Sequence, residues 1–253
     1  MDNDPIALVP EQPPVPAVPT GPGWTWRDVG ATVLLIGAAT VVLTLLARGL
    51  VAARGLEVEQ RLISPAVYIM GLGIYLATIL GVYLFAARRA GWAAMGLRPP
   101  ERRHLLSVPP LFLLGLVALV LVNAAVGLLM GGFENPQVDA LTGGAALAPA
   151  ELILLLILVA GVVPFAEELF FRGMVYPLMR SRFAAVPAIA LNAAAFAVVH
   201  VVPQLLPGLF VVGLFLAYLR ERSGSIWPSV LYHALQNGIA LLLINAALSA
   251  GAG

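Results

Sequence analysis

The sequence predicts an all-α, polytopic transmembrane bundle of about seven helices, with a buried polar site in its C-terminal half. Three observations lead there. Hydrophobic residues make up 60% of the chain and charged residues only 11%, with a mean hydropathy of +0.95, whereas soluble domains are about one quarter charged. Apolar runs of roughly 20 residues, the length that crosses about 30 Å of hydrocarbon, recur along the chain. One of these runs nevertheless carries Glu167, Glu168 and Arg172. A charge near the bilayer centre costs roughly 2 to 3 kcal/mol even on the lenient insertion scale, so such residues face a protein interior or a wet cavity and mark function.

In chain order, Met1 to Gly23 is rich in proline (Pro5, Pro10, Pro13, Pro14, Pro16, Pro19, Pro22) and cannot bury a core, so residues 1–27 read as a disordered tail. It has neither the basic n-region nor the cleavage site of a secretory signal, and the first apolar run is expected to remain as an anchor. Val29 to Ala47, Ala66 to Ala87, Val108 to Met130 and Ile226 to Ala247 each read as a span. Leu152 to Met179 is longer, at about 1.5 Å per residue some 40 Å, and is expected to tilt, with a kink at Pro164. Val186 to Val202 and Leu206 to Leu219 are short and separated by Pro203 and Pro207, which predicts a tight hairpin that does not span by itself. The N-terminal helices thus occupy 28–149, and a C-terminal core occupies 150–253.

Positive residues favour the cytoplasmic side of a membrane. All basic residues are arginine: Arg27, Arg88, Arg89, Arg98, Arg102, Arg103, Arg180, Arg182, Arg220 and Arg222 lie on the side of the tail, against Arg48, Arg54 and Arg61 on the other. Glu134 and Asp139 sit in a loop of that second side, and Trp24, Trp26, Trp92 and Trp227 all fall at tail-side interfaces. The tail is therefore expected in the cytoplasm and the C-terminus outside, in a topology read as that of a bacterial inner (cell) membrane. A formal net charge of +1 gives no reason to expect a nucleic-acid partner. The chain has no cysteine, which excludes disulfides, thiolate nucleophiles and Cys-ligated metals.

Three short patterns fall in the last hundred residues. They are Glu167-Glu168-Leu169-Phe170-Phe171-Arg172, Phe196-Ala197-Val198-Val199-His200 and His233-Ala234-Leu235-Gln236-Asn237. Each holds an i, i+4 pair that shares one helix face. Glu168 can pair with Arg172 in the favourable acid-first order, leaving Glu167 about 100° away and free. Helical rise puts Glu167 roughly 20 Å before Arg180, His200 roughly 20 Å beyond Val186, and His233 roughly 10 to 15 Å beyond the Arg222 loop. Three helices thus bring polar groups to similar depth, and one buried site open to the cytoplasmic side is expected. There, a water between Glu167 and His200 could be deprotonated, while His233 and the Asn237 amide could stabilise the oxyanion formed when that water attacks a peptide carbonyl. No Gly-x-Ser-x-Gly elbow or other covalent nucleophile is present.

At these residues the chain resembles the CPBP family of intramembrane proteases, which includes the type II CAAX prenyl endopeptidases and the bacterial Abi proteins. The resemblance rests on Glu-Glu-x-x-x-Arg, Phe-x-x-x-His and His-x-x-x-Asn in order, and covers about Leu152 to Ala247. It implies that Glu167 and His200 activate water, that His233 and Asn237 hold the oxyanion, and that Glu168 and Arg172 shape the site. Its substrate would be a peptide or protein, met in the lipid bilayer. Members are often labelled metalloproteases, and Glu167, His200 and His233 are the candidate zinc ligands. The chain lacks His-Glu-x-x-His, and its two histidines lie 33 residues apart, which leans toward a mechanism that requires no cofactor while leaving zinc open.

Plainer readings stand beside these. The Glu167, Glu168 and Arg172 cluster could simply tie helices together, but one guanidinium cannot neutralise two carboxylates. Asn123 and Asn192 read as hydrogen-bonding glue between helices, Phe196 as packing that shapes the cleft, and the loop arginines as topology determinants. Two other functions compete: a proton-coupled transporter using Glu167, Glu168 and His200 as a relay, and a non-catalytic scaffold on the same fold. A transporter would be expected to duplicate its polar residues in both halves, and here they cluster in one.

Overall fold

A computed structural model describes residues 21–53, 65–132, 138 and 141–251. Most of the proline-rich tail, Arg54, Arg61, Glu134 and Asp139 lie outside the described residues. Seven principal helices follow one another, and no strand occurs among the described residues. They are α1 (Trp26–Ala53), α2 (Tyr68–Ala90), α3 (Arg102–Met130), α4 (Pro149–Arg180), α5 (Ala185–Val198), α6 (Leu206–Ser223) and α7 (Trp227–Gly251).

Six of these helices are long and apolar enough to cross a membrane, and only α5 is shorter. Exposed leucine and valine cover the outside of the bundle, as with Leu34, Leu46, Leu121, Leu128 and Leu129. That is the expected finish for helices whose outer faces meet lipid rather than water. α1 packs on α2, α2 on α4, α4 on α7, and the α5–α6 hairpin on α3, α4 and α7.

The expected hairpin is present, with arms of unequal length. α5 ends at Val198, whereas α6 continues past Leu219 through Arg220 and Glu221, which takes it to spanning length. Its arms touch at Gly213, where an added Cβ would stand 2.9 Å from the Cα of Ala193. Helices in lipid gain from such backbone contact, because small residues maximise packing where the hydrophobic effect offers nothing. At its tail-side end α6 stops at Gly224, with φ +65, a left-handed cap that glycine adopts without strain. At the other end Val201 takes φ 57, which a β-branched residue adopts only at a cost.

Trp24 departs from the interfacial role expected of it. Its ring is buried, and its indole N–H donates to the Met174 carbonyl at 2.9 Å, so it plugs the tail-side end of the core. Several tail-side arginines do more than fix topology. Arg89 pairs with Asp28 at 2.6 Å, Arg180 with Glu221 at 3.1 Å, and Arg98 donates to the Gly224 carbonyl at 2.9 Å.

Candidate intramembrane site

α4 carries the charges, and its prolines shape it. Proline offers no amide hydrogen and its ring crowds the carbonyl four residues earlier. Pro164 and Pro177 each follow a π-helical turn, Leu158–Val162 and Leu169–Val175. The crowded carbonyls, Ala160 and Gly173, sit inside those widened turns, so the helix continues where a regular one would break. Glu167 and Glu168 close the α-helical segment between the two turns, and Arg172 lies in the second. Such π turns recur at functional sites because they re-aim side chains.

Arg172 and Glu168 are fully buried, and Arg172 Nη1 donates to Glu168 Oε1 at 3.0 Å. Arg172 Nη2 donates to the Gly213 carbonyl at 3.1 Å, and the guanidinium lies 4.7 Å from the centre of the Phe196 ring. The close approach of α5 and α6 at Gly213 is what brings that carbonyl within reach.

Glu168 Oε1 also meets His233 Nδ1 at 3.0 Å. A carboxylate already paired with a guanidinium can only accept there, so Nδ1 of His233 carries the hydrogen. The other ring nitrogen, Nε2, lies 3.9 Å from Glu167 Oε2. Glu167 Oε1 accepts from the Tyr75 hydroxyl at 3.2 Å, whereas its Oε2 is buried with no hydrogen-bond partner. His200 Nδ1 lies 2.8 Å from the Phe196 carbonyl, which can only accept, so His200 presents Nε2 as a lone pair when neutral. Phe196 stands edge-on between the two imidazoles, at 4.9 Å from His200 and 5.6 Å from His233. The Asn237 amide donates one hydrogen to the Val159 carbonyl at 2.9 Å and keeps a second.

Glu167, His200, His233 and Asn237 all line one cavity of about 480 Å³, while Glu168 and Arg172 lie behind its wall. Tyr75, Asn123 and Gln236 add further polar groups to the lining, and Leu119, Leu141, Leu209 and Ile244 are among its apolar walls. Tyr75 was not legible as a site residue, since a lone tyrosine in an apolar span has many structural uses. Asn123, expected to act only as glue, lines the cavity, whereas Asn192 does bridge helices by donating to the Phe171 carbonyl at 3.0 Å.

The cavity extends from the cluster away from the tail side, on which the sequence reading expects it to open. Its lining comes from Leu119 and Asn123 in the C-terminal half of α3, from Val159 to Glu167 along the first half and middle of α4, from His233 to Ile244 across the middle of α7, and from Val138 and Leu141 of the α3–α4 connection. On the tail side, Met95, Met174, Leu216, Ile226 and Tyr232 are all fully buried and seal the floor. Depth measured along single helices located the polar groups correctly but says nothing about which end of the space between them is filled.

As arranged, these side chains do not suit a zinc ion. Both histidines have an anchored Nδ1, which is how metal-ligating imidazoles are held. Among the described residues, however, no three His, Asp or Glu groups come together closely enough to hold an ion.

Fold and site together define an integral membrane protein whose helices enclose a cavity with an acid, guanidinium and imidazole cluster at its base. Residues 149–239 match the family model of the type II CAAX prenyl endopeptidase Rce1-like proteins, and over this stretch the chain is similar to the CPBP/CAAX protease family. All three motifs fall inside the match. No curated protein and no solved structure matches the chain. This match supports a CAAX-protease-like membrane endopeptidase.

Proposed function

We propose that the protein is an intramembrane endopeptidase that hydrolyses a peptide bond with a water activated by Glu167. The observation that carries this is the unpartnered Oε2 of Glu167, buried at the cavity wall 3.9 Å from His233 Nε2. A buried carboxylate oxygen left without a donor loses its hydration for nothing unless a water or substrate completes it.

Glu167, Glu168 and Arg172 alone would leave one uncompensated negative charge at low dielectric. One proton on the Glu167 and His233 pair makes the cluster neutral, and a proton on His233 leaves Glu167 ready to act as base. In the reaction, Glu167 Oε2 takes a proton from the water as the water oxygen attacks the carbonyl carbon. His200 Nε2 accepts the second water hydrogen and fixes its orientation. The oxyanion then receives His233 Nε2–H and the remaining Asn237 N–H. When the C–N bond breaks, the proton held on Glu167 passes to the leaving amine. Glu168 and Arg172 act as positioning residues, the first by holding His233 and the second by neutralising Glu168.

No metal is required in this scheme, and none of its steps uses one. The substrate is a peptide or protein met in or at the bilayer of a cell membrane, with the tail on the cytoplasmic side.

The test is to incubate purified wild type and the Glu167→Ala variant, in detergent or liposomes, with a peptide library and to identify products by mass spectrometry. Products from wild type alone are expected. Undiminished cleavage by the variant would remove Glu167 as the base, and no cleavage by either would favour the scaffold.

A further inference from the structure

We propose that the side-chain amides of Gln236 on α7 and Asn123 on α3 hold the backbone of the substrate beside the scissile bond, each hydrogen-bonding one flanking peptide group. This rests on the reading of the cavity as a protease site and adds how the substrate is gripped there, by its main chain.

The polar groups around the cavity fall into two sets. Glu167, His200, His233 and Asn237 each have one atom tied to another part of the protein: to Tyr75, to the Phe196 carbonyl, to Glu168 and to the Val159 carbonyl. They are held in place, as reacting groups must be. Gln236 and Asn123 also line the cavity, yet neither side chain makes a hydrogen bond among the described residues, and Gln236 Oε1 is buried with no partner. Asn123 Oδ1 lies 2.7 Å from where a Cβ on Gly208 would stand, so the bare Cα of Gly208, at the start of α6, leaves room for that amide.

Gln236 lies three residues after His233 and one before Asn237, so it shares their face of α7 and stands about 4.5 Å further along the helix than His233. An extended peptide advances about 3.3 Å per residue, and a substrate whose scissile carbonyl meets His233 therefore brings a neighbouring peptide group within reach of Gln236. α3 packs against α7, which puts the Asn123 amide on an adjoining wall. Each peptide group offers one N–H and one C=O, and a carboxamide offers a donor and an acceptor in return. Apolar Leu119, Leu209 and Ile244 line the same cavity and lower the local dielectric, where a hydrogen bond is stronger than in water and an unmade one costs more.

The test uses one peptide that purified wild type cleaves in detergent, together with ester analogues in which oxygen replaces a single N–H flanking the scissile bond. Each ester deletes one donor and weakens the carbonyl of the same group. Gln236→Met and Asn123→Leu keep the bulk of each side chain and remove its amide. Each variant is expected to raise KM by roughly tenfold with kcat and melting temperature little changed, because binding shared by ground and transition states shows in KM alone. For each variant, one ester is expected to raise the wild-type KM by a similar factor and to have no further effect on that variant. A purely structural role would instead lower the melting temperature and let the two losses multiply. A wild-type KM in either variant, or losses that multiply for every ester, would overturn the proposal while leaving the protease reading standing. No cleavage by wild type of any peptide would remove the protease reading and this inference with it.

Discussion

Glu168 and His233, 65 positions apart in sequence and on different helices, meet through a single atom: Oε1 of Glu168 accepts from His233 Nδ1 at 3.0 Å while also accepting from Arg172 at 3.0 Å. The carboxylate therefore joins a structural ion pair to the proposed reaction centre. It fixes which nitrogen of His233 faces the cavity, and in doing so links the stability of α4 to the orientation of α7.

Arg172→Leu leaves the Glu168 carboxylate buried and unneutralised, which costs about 3–5 kcal/mol. The melting temperature in detergent should fall accordingly. The double variant Glu168→Leu with Arg172→Leu removes both charges and should recover most of that stability, as buried pairs replaced by apolar residues generally do. It should still be impaired in cleavage, because His233 has lost the acceptor that sets its ring. Recovery of both stability and activity would show that Glu168 has no part in positioning His233.

Glu167→Gln keeps the shape of the side chain and removes the base. A loss of roughly 10²- to 10⁴-fold in kcat is expected, with the melting temperature nearly unchanged.

Tyr75→Phe removes one charge-assisted hydrogen bond to Glu167 Oε1 and nothing else. Such a bond contributes about 1.5–3 kcal/mol, so kcat should drop by roughly 10- to 150-fold. KM should change little if Tyr75 orients the carboxylate rather than binding substrate. A change confined to KM would instead place Tyr75 in substrate binding.

Prolonged dialysis against a chelator should leave cleavage intact, and elemental analysis of the purified protein should show zinc well below one atom per chain. Loss of activity that zinc restores would reverse the metal-free mechanism.

Val201→Gly should raise the melting temperature, because glycine enters the left-handed region freely where a β-branched residue is strained by about 1–2 kcal/mol. Val202→Gly is the control, since Val202 has φ −108 and gains nothing from glycine. If Val201→Gly also lowers kcat, the strain serves to hold His200 in the turn that follows α5.

The helices and the three motifs were legible because both follow from local pattern: apolar length predicts a span, and i, i+4 spacing predicts a shared face. The pairing of Glu168 with Arg172, leaving Glu167 free, could be read in the same way. Tyr75 could not, since nothing local distinguishes a tyrosine that reaches a carboxylate on another helix from one that packs. The burial of Trp24 was missed for a related reason, as an aromatic residue near a span end reads as an interfacial anchor unless its partner, here Met174, is known. The direction of the cavity depends on what fills the space beyond a short hairpin, and that is a property of several helices together. The widened turns of α4 lie between these cases: Pro164 announced an irregularity, and Pro177 marks a second by the same chemistry.

Because the counter-ion of Glu168 is supplied by the same helix, α4 brings its own neutralising partner when it leaves the translocon, and needs no other segment for that charge to tolerate lipid. Glu167 has no such companion within α4, so the acid closest to the proposed chemistry is also the group that waits for α2 and α7 to arrive. Biogenesis and catalysis thus draw on adjacent residues in opposite ways, one self-sufficient from insertion and the other completed only by assembly.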